Sequence, residues 1–385
     1  MATDTPRSGT PDVRGHVVAL DGLRFLAAAV VLVGHCFNVI AIPESVQKLV
    51  RETPLVVFIN GYGAVHLFFV LSGFVLAGSA DRVRERIDLV QFYVRRVLRI
   101  HPPYVYALVV AWLASFVYDV SQSAGAVTPY LMKRASVHLT PEELVSFFLY
   151  PSDAKLQLGP AWTLAIEMHF SFLLPLMLWV TRRSHWSVLI VLSLFALFDG
   201  HRLWEPLDYA IFFSLGVAIF QERDRLQRLA DALSSAVRFV AVGASLLVFA
   251  APWLLDIVYE AGFAYSPWGT AVSAVGAGLL LWNSLCFDGV SRLLAHPSLA
   301  YGGRISYSFY LLHYPVMILC SQTLRAPLTA FDTVAYLASV FLLTFGAAAL
   351  SFYVIERPSI RAGNALCRAI SRRTSATPQF SRLGA

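Results

Sequence analysis

Long apolar runs separated by short basic or proline-containing stretches recur from His16 almost to the end of the chain. About 20 apolar residues in a helix cross a bilayer core. At that length the runs predict spans near residues 17–39, 56–78, 101–118, 160–180, 186–200, 206–221, 237–258, 267–287, 299–321 and 333–355. Helices satisfy their backbone polar groups internally, as the hydrocarbon demands. The expected fold class is therefore all-α, a polytopic transmembrane helix bundle of about ten spans. Asp21 and Arg24 interrupt the apolar core that a cleaved signal peptide needs, so the first run is read as a retained span. Residues 1–15, rich in Pro, Gly, Ser and Thr, are expected to form a flexible cytoplasmic arm. Residues 16–358 form the transmembrane domain, and residues 359–385 a basic cytoplasmic tail. The apolar segment Glu142 to Tyr150 is too short to cross, and the stretch around it, Asp119 to Gly159, is sized for a lid.

Composition agrees with the pattern. Charged residues make up 14% of the chain and hydrophobic ones 57%, whereas a soluble domain is about a quarter charged. The net charge of +6 would suggest nucleic acid in a soluble protein; here it is read as basic loops, with no nucleic-acid partner. Arg82, Arg84, Arg86, Arg95, Arg96, Arg99, Arg182, Arg183, Arg223, Arg225, Arg228, Arg238 and Arg292 fall in alternate connections, and more arginines follow in the tail. The positive-inside rule then puts both termini in the cytoplasm, in a multi-pass protein of the cell inner (cytoplasmic) membrane. The four cysteines, Cys36, Cys286, Cys320 and Cys367, are too far apart for a zinc or redox motif, and no metal site is expected.

Ionisable groups at membrane depth are costly and usually face a bundle interior where they function. The first span carries Asp21, Arg24 and His35. Arg24 and His35 fall on nearly one helix face, about 16 Å apart along the axis. Glu167 lies roughly 10 Å below the start of the fourth span; His169 faces elsewhere. The ninth span holds Arg304, Ser306, Tyr307, Ser308, Tyr310 and His313. An outer-half cluster of His35, Glu167 and His313 is geometrically possible. A histidine beside a carboxylate can take a proton from a hydroxyl near neutral pH; the same residues could equally form a proton relay in a transporter. At the other end, clustered arginines suit phosphate, although ordinary topology accounts for Arg95, Arg96 and Arg99 about as well.

Six segments together resemble acyltransferase family 3, the bacterial membrane O-acyltransferases: LDGLRFLAAAVVLVGH, GAVHLFFVLSGFVLA, RRVLRIHPPY, WTLAIEMHF, ISYSFYLLHYP and VIERP, in family order over about residues 17 to 360. The resemblance implies transfer of an acyl group, usually acetyl from acetyl-CoA, to a hydroxyl of a carbohydrate or glycoconjugate. It makes His35 the essential histidine and Arg24 its partner along the first helix, with Arg95, Arg96 and Arg99 holding the donor. Glu167 and His313 complete the candidate catalytic set, and Ser72 and Tyr307 the donor-contact set. His66 stands where many relatives carry an acidic residue. No tightly bound cofactor is expected, since acyl-CoA is a substrate. In the mechanism expected, His35 supported by Glu167 deprotonates the acceptor; an acyl-histidine relay is equally open. The competing class is a transporter or exporter of a glycan or small molecule.

Overall fold

The computed structural model describes residues 13–83, 85–123, 125–135, 140–149, 158–197, 205–259 and 262–376. The chain runs through α1 (Val13–Val39), α2 (Glu44–Arg51), α3 (Gly61–Ala80), α4 (Arg86–Val117), α5 (Pro129–Ala135), α6 (Pro141–Leu149) and α7 (Ala161–Leu197). It continues with α8 (Ala210–Gln221), α9 (Arg223–Asp231), α10 (Ser235–Tyr259), α11 (Pro267–Cys286) and α12 (Asp288–Leu294). The last three are α13 (Pro297–Ser321), α14 (Ala330–Ser351) and α15 (Arg357–Ala376). Among the described residues no strand is formed, and a single isolated bridge links Ile40 to Val127. The all-α polytopic bundle stands.

Seven helices are long and apolar enough to cross a membrane among the described residues, and the apolar helix Pro206–Gln221 is shorter. Outer helices carry their apolar side chains outward: Phe239 on α10 is 82% exposed, and Leu342, Leu343 and Leu350 on α14 are exposed too. A water-facing surface would place charges there; lipid accepts these side chains. The protein is multi-pass in a membrane.

Three boundaries differ from the sequence expectation, the first at α4, which starts at Arg86 rather than near residue 101 and so carries Arg95, Arg96 and Arg99 within the helix. The break expected between the fourth and fifth spans is absent, and α7 runs through 37 residues without interruption. No glycine or proline lies between Pro175 and Leu197, so the paired arginines Arg182 and Arg183 can be carried within the helix, because arginine is a good helix former. At the other end, α14 passes into α15 through a π turn, Phe352–Glu356. Pro358 lacks the N–H that the preceding turn would use, and the widened turn carries the chain past it. The described part of the basic tail is therefore helical. It is docked on α4, where Gln91 Nε2 donates to Ser371 Oγ at 2.7 Å. Most of the expected N-terminal arm lies outside the described residues, apart from its last three positions, which are helical.

The helices that position the site pack closely. Between α3 and α8, a Cβ added at Gly73 would strike the backbone of Phe213, and one at Gly216 would strike that of Val70. Helices in lipid associate through such small-residue contacts, since there is no hydrophobic drive between them. Asn60 caps α3, its Oδ1 accepting from Gly63 N at 2.7 Å. The short α6 lies against α4, where the Tyr104 hydroxyl donates to the Phe147 carbonyl at 2.7 Å.

Candidate functional site

Three chambers follow one another through the bundle. The first is lined by Arg24, Arg82, Arg99, Arg223 and Arg304, together with Asp21, Phe220, Trp282 and Glu356. The second lies at the centre and shares Arg24, Arg99, Arg304 and Glu356 with it, adding Ser72, Arg96, Glu167, Tyr307 and Tyr310. The third holds His35, Asn38, Asn60, Tyr62, Trp162, Trp253, Asp256 and Tyr265. Val65 and Tyr310 line both the second and the third. They form the wall between an arginine-rich space and a histidine-bearing one.

The arginine end is assembled by α1, α4 and α13. Gly303 on α13 lies against the backbone of Asp21 on α1, and this close approach puts Arg24 and Arg304 into the same chamber. Arg24 Nη1 is ion-paired with Asp21 Oδ1 at 3.1 Å. On α4, Arg96 and Arg99 line the central chamber, but Arg95 does not. It is exposed, and its Nη1 donates to Gln91 Oε1 at 3.3 Å. Of the three arginines expected to hold the donor, Arg95 stays outside the chamber although it lies one turn before Arg99 on nearly the same helix face, and Gly363 of α15 lies close to its backbone. Arg82 and Arg223, assigned only to topology or loops by the sequence, line the arginine chamber.

Glu167 belongs to this end as well. Arg96 Nη2 donates to Glu167 Oε1 at 2.8 Å and to Ser171 Oγ at 2.9 Å. The expected cluster of His35, Glu167 and His313 is therefore divided. Tyr310 shows why. Thr163 Oγ1 bonds to the Pro160 carbonyl at 2.9 Å, which uses its proton, so the Tyr310 hydroxyl is the donor in their 2.9 Å contact. Thr163 and Tyr310 are thus level. Glu167 lies four residues along α7 on the arginine side, about 6 Å away, and His313 three residues along α13 on the other side, about 4.5 Å away. Two groups that seem equally deep from helix starts lie roughly 10 Å apart along the axis.

His35 and His313 do come together, with ring centroids 5.4 Å apart. His313 is fully buried, and its Nδ1 lies 2.7 Å from the Tyr310 carbonyl. A carbonyl only accepts, so Nδ1 carries the proton, and in the neutral ring Nε2 is left as an acceptor. That Nε2 is buried without a hydrogen-bond partner among the described residues. Glu356, at the end of the π turn, is buried and accepts from Ser308 Oγ at 2.8 Å. The Tyr307 hydroxyl donates to the Ile100 carbonyl at 2.8 Å, tying α13 to α4 beside the arginines. His66 is buried in a different environment, stacked on Phe212 at 4.1 Å with Nδ1 2.8 Å from Ser273 Oγ.

This bundle can bind a polyanion at one end and hold an imidazole pair at the other. A family model described as an acyltransferase domain matches residues 17–356. The chain belongs to this acyltransferase family. Among its relatives, the peptidoglycan O-acetyltransferase OatA of Listeria monocytogenes is 26% identical over 374 residues, covering 90% of this chain and 56% of that protein. The putative membrane-bound transacylase BcsY of Komagataeibacter xylinus is 28% identical over 317 residues, 78% of this chain and 77% of that protein. Nodulation protein 10 of Rhizobium leguminosarum bv. viciae is 28% identical over 193 residues, 48% of this chain and 50% of that protein. The chain thus spans only a little over half the length of the first of these relatives. No solved structure matches it with significance.

Proposed function

We propose that this enzyme moves an acyl group, acetyl in the simplest case, from acyl-CoA to a hydroxyl of a carbohydrate or glycoconjugate acceptor across the bundle interior. The observation that carries the reading is the succession of chambers, with five arginines at one end, His35 at the other, and only the wall of Val65 and Tyr310 between. Phosphates of the donor bind the arginines, which favour such oxyanions through bidentate hydrogen bonds. The arginine end faces the cytoplasm, in keeping with the basic loops there, and the membrane is the cytoplasmic one. The donor's flexible thioester arm extends through the central chamber past Tyr310.

In the chemical step His35 takes the proton from the acceptor hydroxyl, and the oxygen attacks the thioester carbonyl carbon. Collapse of the tetrahedral intermediate breaks the C–S bond, and the departing thiolate takes the proton back from His35. His313, 5.4 Å from His35 between ring centroids, takes the supporting part that Glu167 held in the sequence expectation. Glu167 instead holds Arg96 in place for the donor. The relatives named for peptidoglycan O-acetylation and transacylation support this class of reaction.

The test is transfer of labelled acetyl from acetyl-CoA in membranes carrying the full chain. His35→Ala is expected to abolish transfer while the protein still inserts and accumulates. Wild-type transfer by that variant refutes the assignment.

A further inference from the structure

The chamber around His35 contains a group of side chains that the transfer chemistry leaves unused. Tyr62 on α3, Trp253 on α10 and Tyr265, in the short turn after α10, pack on one another. Ring centroids are 6.4 Å apart for Tyr62 and Trp253, 5.3 Å for Tyr62 and Tyr265, and 5.2 Å for Trp253 and Tyr265. Tyr62 is held from behind by His66, 4.3 Å away between centroids. Two polar side chains of the same chamber have hydrogen-bonding capacity to spare. Asp256 Oδ2 accepts from Ala264 N at 3.0 Å, while its Oδ1 is buried without a partner among the described residues. Asn60 is in the same position, with Oδ1 bonded to Gly63 N and Nδ2 unpartnered.

We propose that the Tyr62–Trp253–Tyr265 cluster, with Asn60 and Asp256, is the acceptor subsite and takes one ring of a neutral carbohydrate. Ligand pockets combine aromatic walls with a few polar groups that fix orientation. A sugar ring matches this division, with a C–H face for the aromatic rings and hydroxyls for an amide and a carboxylate. Arg51 and Asp256 contribute one charge of each sign to the chamber. It therefore lacks the cationic excess of the arginine chamber and does not select a phosphate-bearing ligand. A membrane-interface aromatic belt would also place Trp and Tyr at this depth. Belt residues need no chamber, however, and Trp268, 64% exposed, lies outside the lining and serves as the belt control. The subsite rests on the reading that a hydroxyl acceptor meets His35, so its test is made without donor.

Purified full-length protein in detergent is titrated calorimetrically with maltotetraose, cellotetraose and the N-acetylglucosamine tetramer. At least one is expected to bind, and Tyr265→Ala or Trp253→Ala to weaken it roughly tenfold, the scale of one lost stacking contact. Tyr265 is 65% exposed, so truncating it removes little packing. Tyr265→Phe keeps the ring and is expected to bind like wild type, as is Trp268→Ala. The subsite is overturned if no tetrasaccharide binds wild type, if Tyr265→Ala binds unchanged, or if Trp268→Ala weakens binding as much. If this binding pattern holds while acetyl-CoA is never consumed, the transfer reading fails and the subsite stands. If transfer occurs with an acceptor KM indifferent to Tyr265→Ala, the subsite alone fails.

Discussion

Replacing Glu167 with Gln separates two roles for this carboxylate, support of His35 and anchoring of Arg96. The Arg96 guanidinium is held by Glu167 at 2.8 Å and Ser171 at 2.9 Å, and the paired side chains are only 15% and 23% exposed. Gln keeps an oxygen acceptor but removes the charge. A hydrogen bond to a charged group contributes about 1.5–3 kcal/mol and a neutral one about 0.5–1.5, so Glu167→Gln is expected to cost roughly 1–2 kcal/mol. Glu167→Ala, which leaves the shielded cation uncompensated, is expected to cost about 3–5 kcal/mol. The assay is unfolding in detergent by denaturant titration, run as two double-mutant cycles. Glu167→Gln with Arg96→Gln should show a coupling of about 1–2 kcal/mol, and Glu167→Gln with His35→Ala a coupling near zero, as for residues that share no partner. Coupling to His35 that exceeds coupling to Arg96 refutes the placement.

Arg99 lines both the arginine and the central chamber, and Arg99→Ala is expected to raise the acetyl-CoA KM about tenfold, the loss of one charge-assisted contact; an unchanged donor KM counts against a donor role. Gly73→Ala drives a methyl group into the Phe213 backbone and should cost about 1–3 kcal/mol, read as a lower melting temperature in detergent; a wild-type midpoint would show that α3 and α8 can separate freely. Tyr310→Phe keeps the ring between the chambers and removes the bond to Thr163. It is expected to lose about 1 kcal/mol of stability with transfer retained, and loss of transfer at normal stability would make the hydroxyl part of the chemistry.

The helical class and the candidate chemistry were legible because they depend on local properties. Apolar runs of membrane-spanning length admit little but helices, and a buried Arg or His announces itself by its cost. Arg24, Ser72, Arg96, Arg99, Glu167 and Tyr307 do line one chamber, and His35 and His313 do meet. The differences share one origin. Arg95 looked equivalent to its neighbours because residue number alone does not show which turn of α4 reaches the chamber. Glu167 looked level with His35 because its depth was counted from an assumed span start rather than from Tyr310. The continuous α7 went unseen because paired arginines were read as a turn.

By itself the sequence determined that the chain is a bundle of apolar helices, where charges sit along each helix, and which acyltransferase family it belongs to. Position along one helix follows from residue number and rise per residue, so these conclusions needed no neighbour. Tertiary structure alone decided the partners: Glu167 with Arg96, His313 with His35, and the three rings brought from separate segments of chain beside His35. Partnership depends on how each helix is rotated and offset against the others. In lipid that is set by close-packed contacts such as Gly73 against Phe213 and Gly303 against Asp21, which hydrophobic periodicity does not encode.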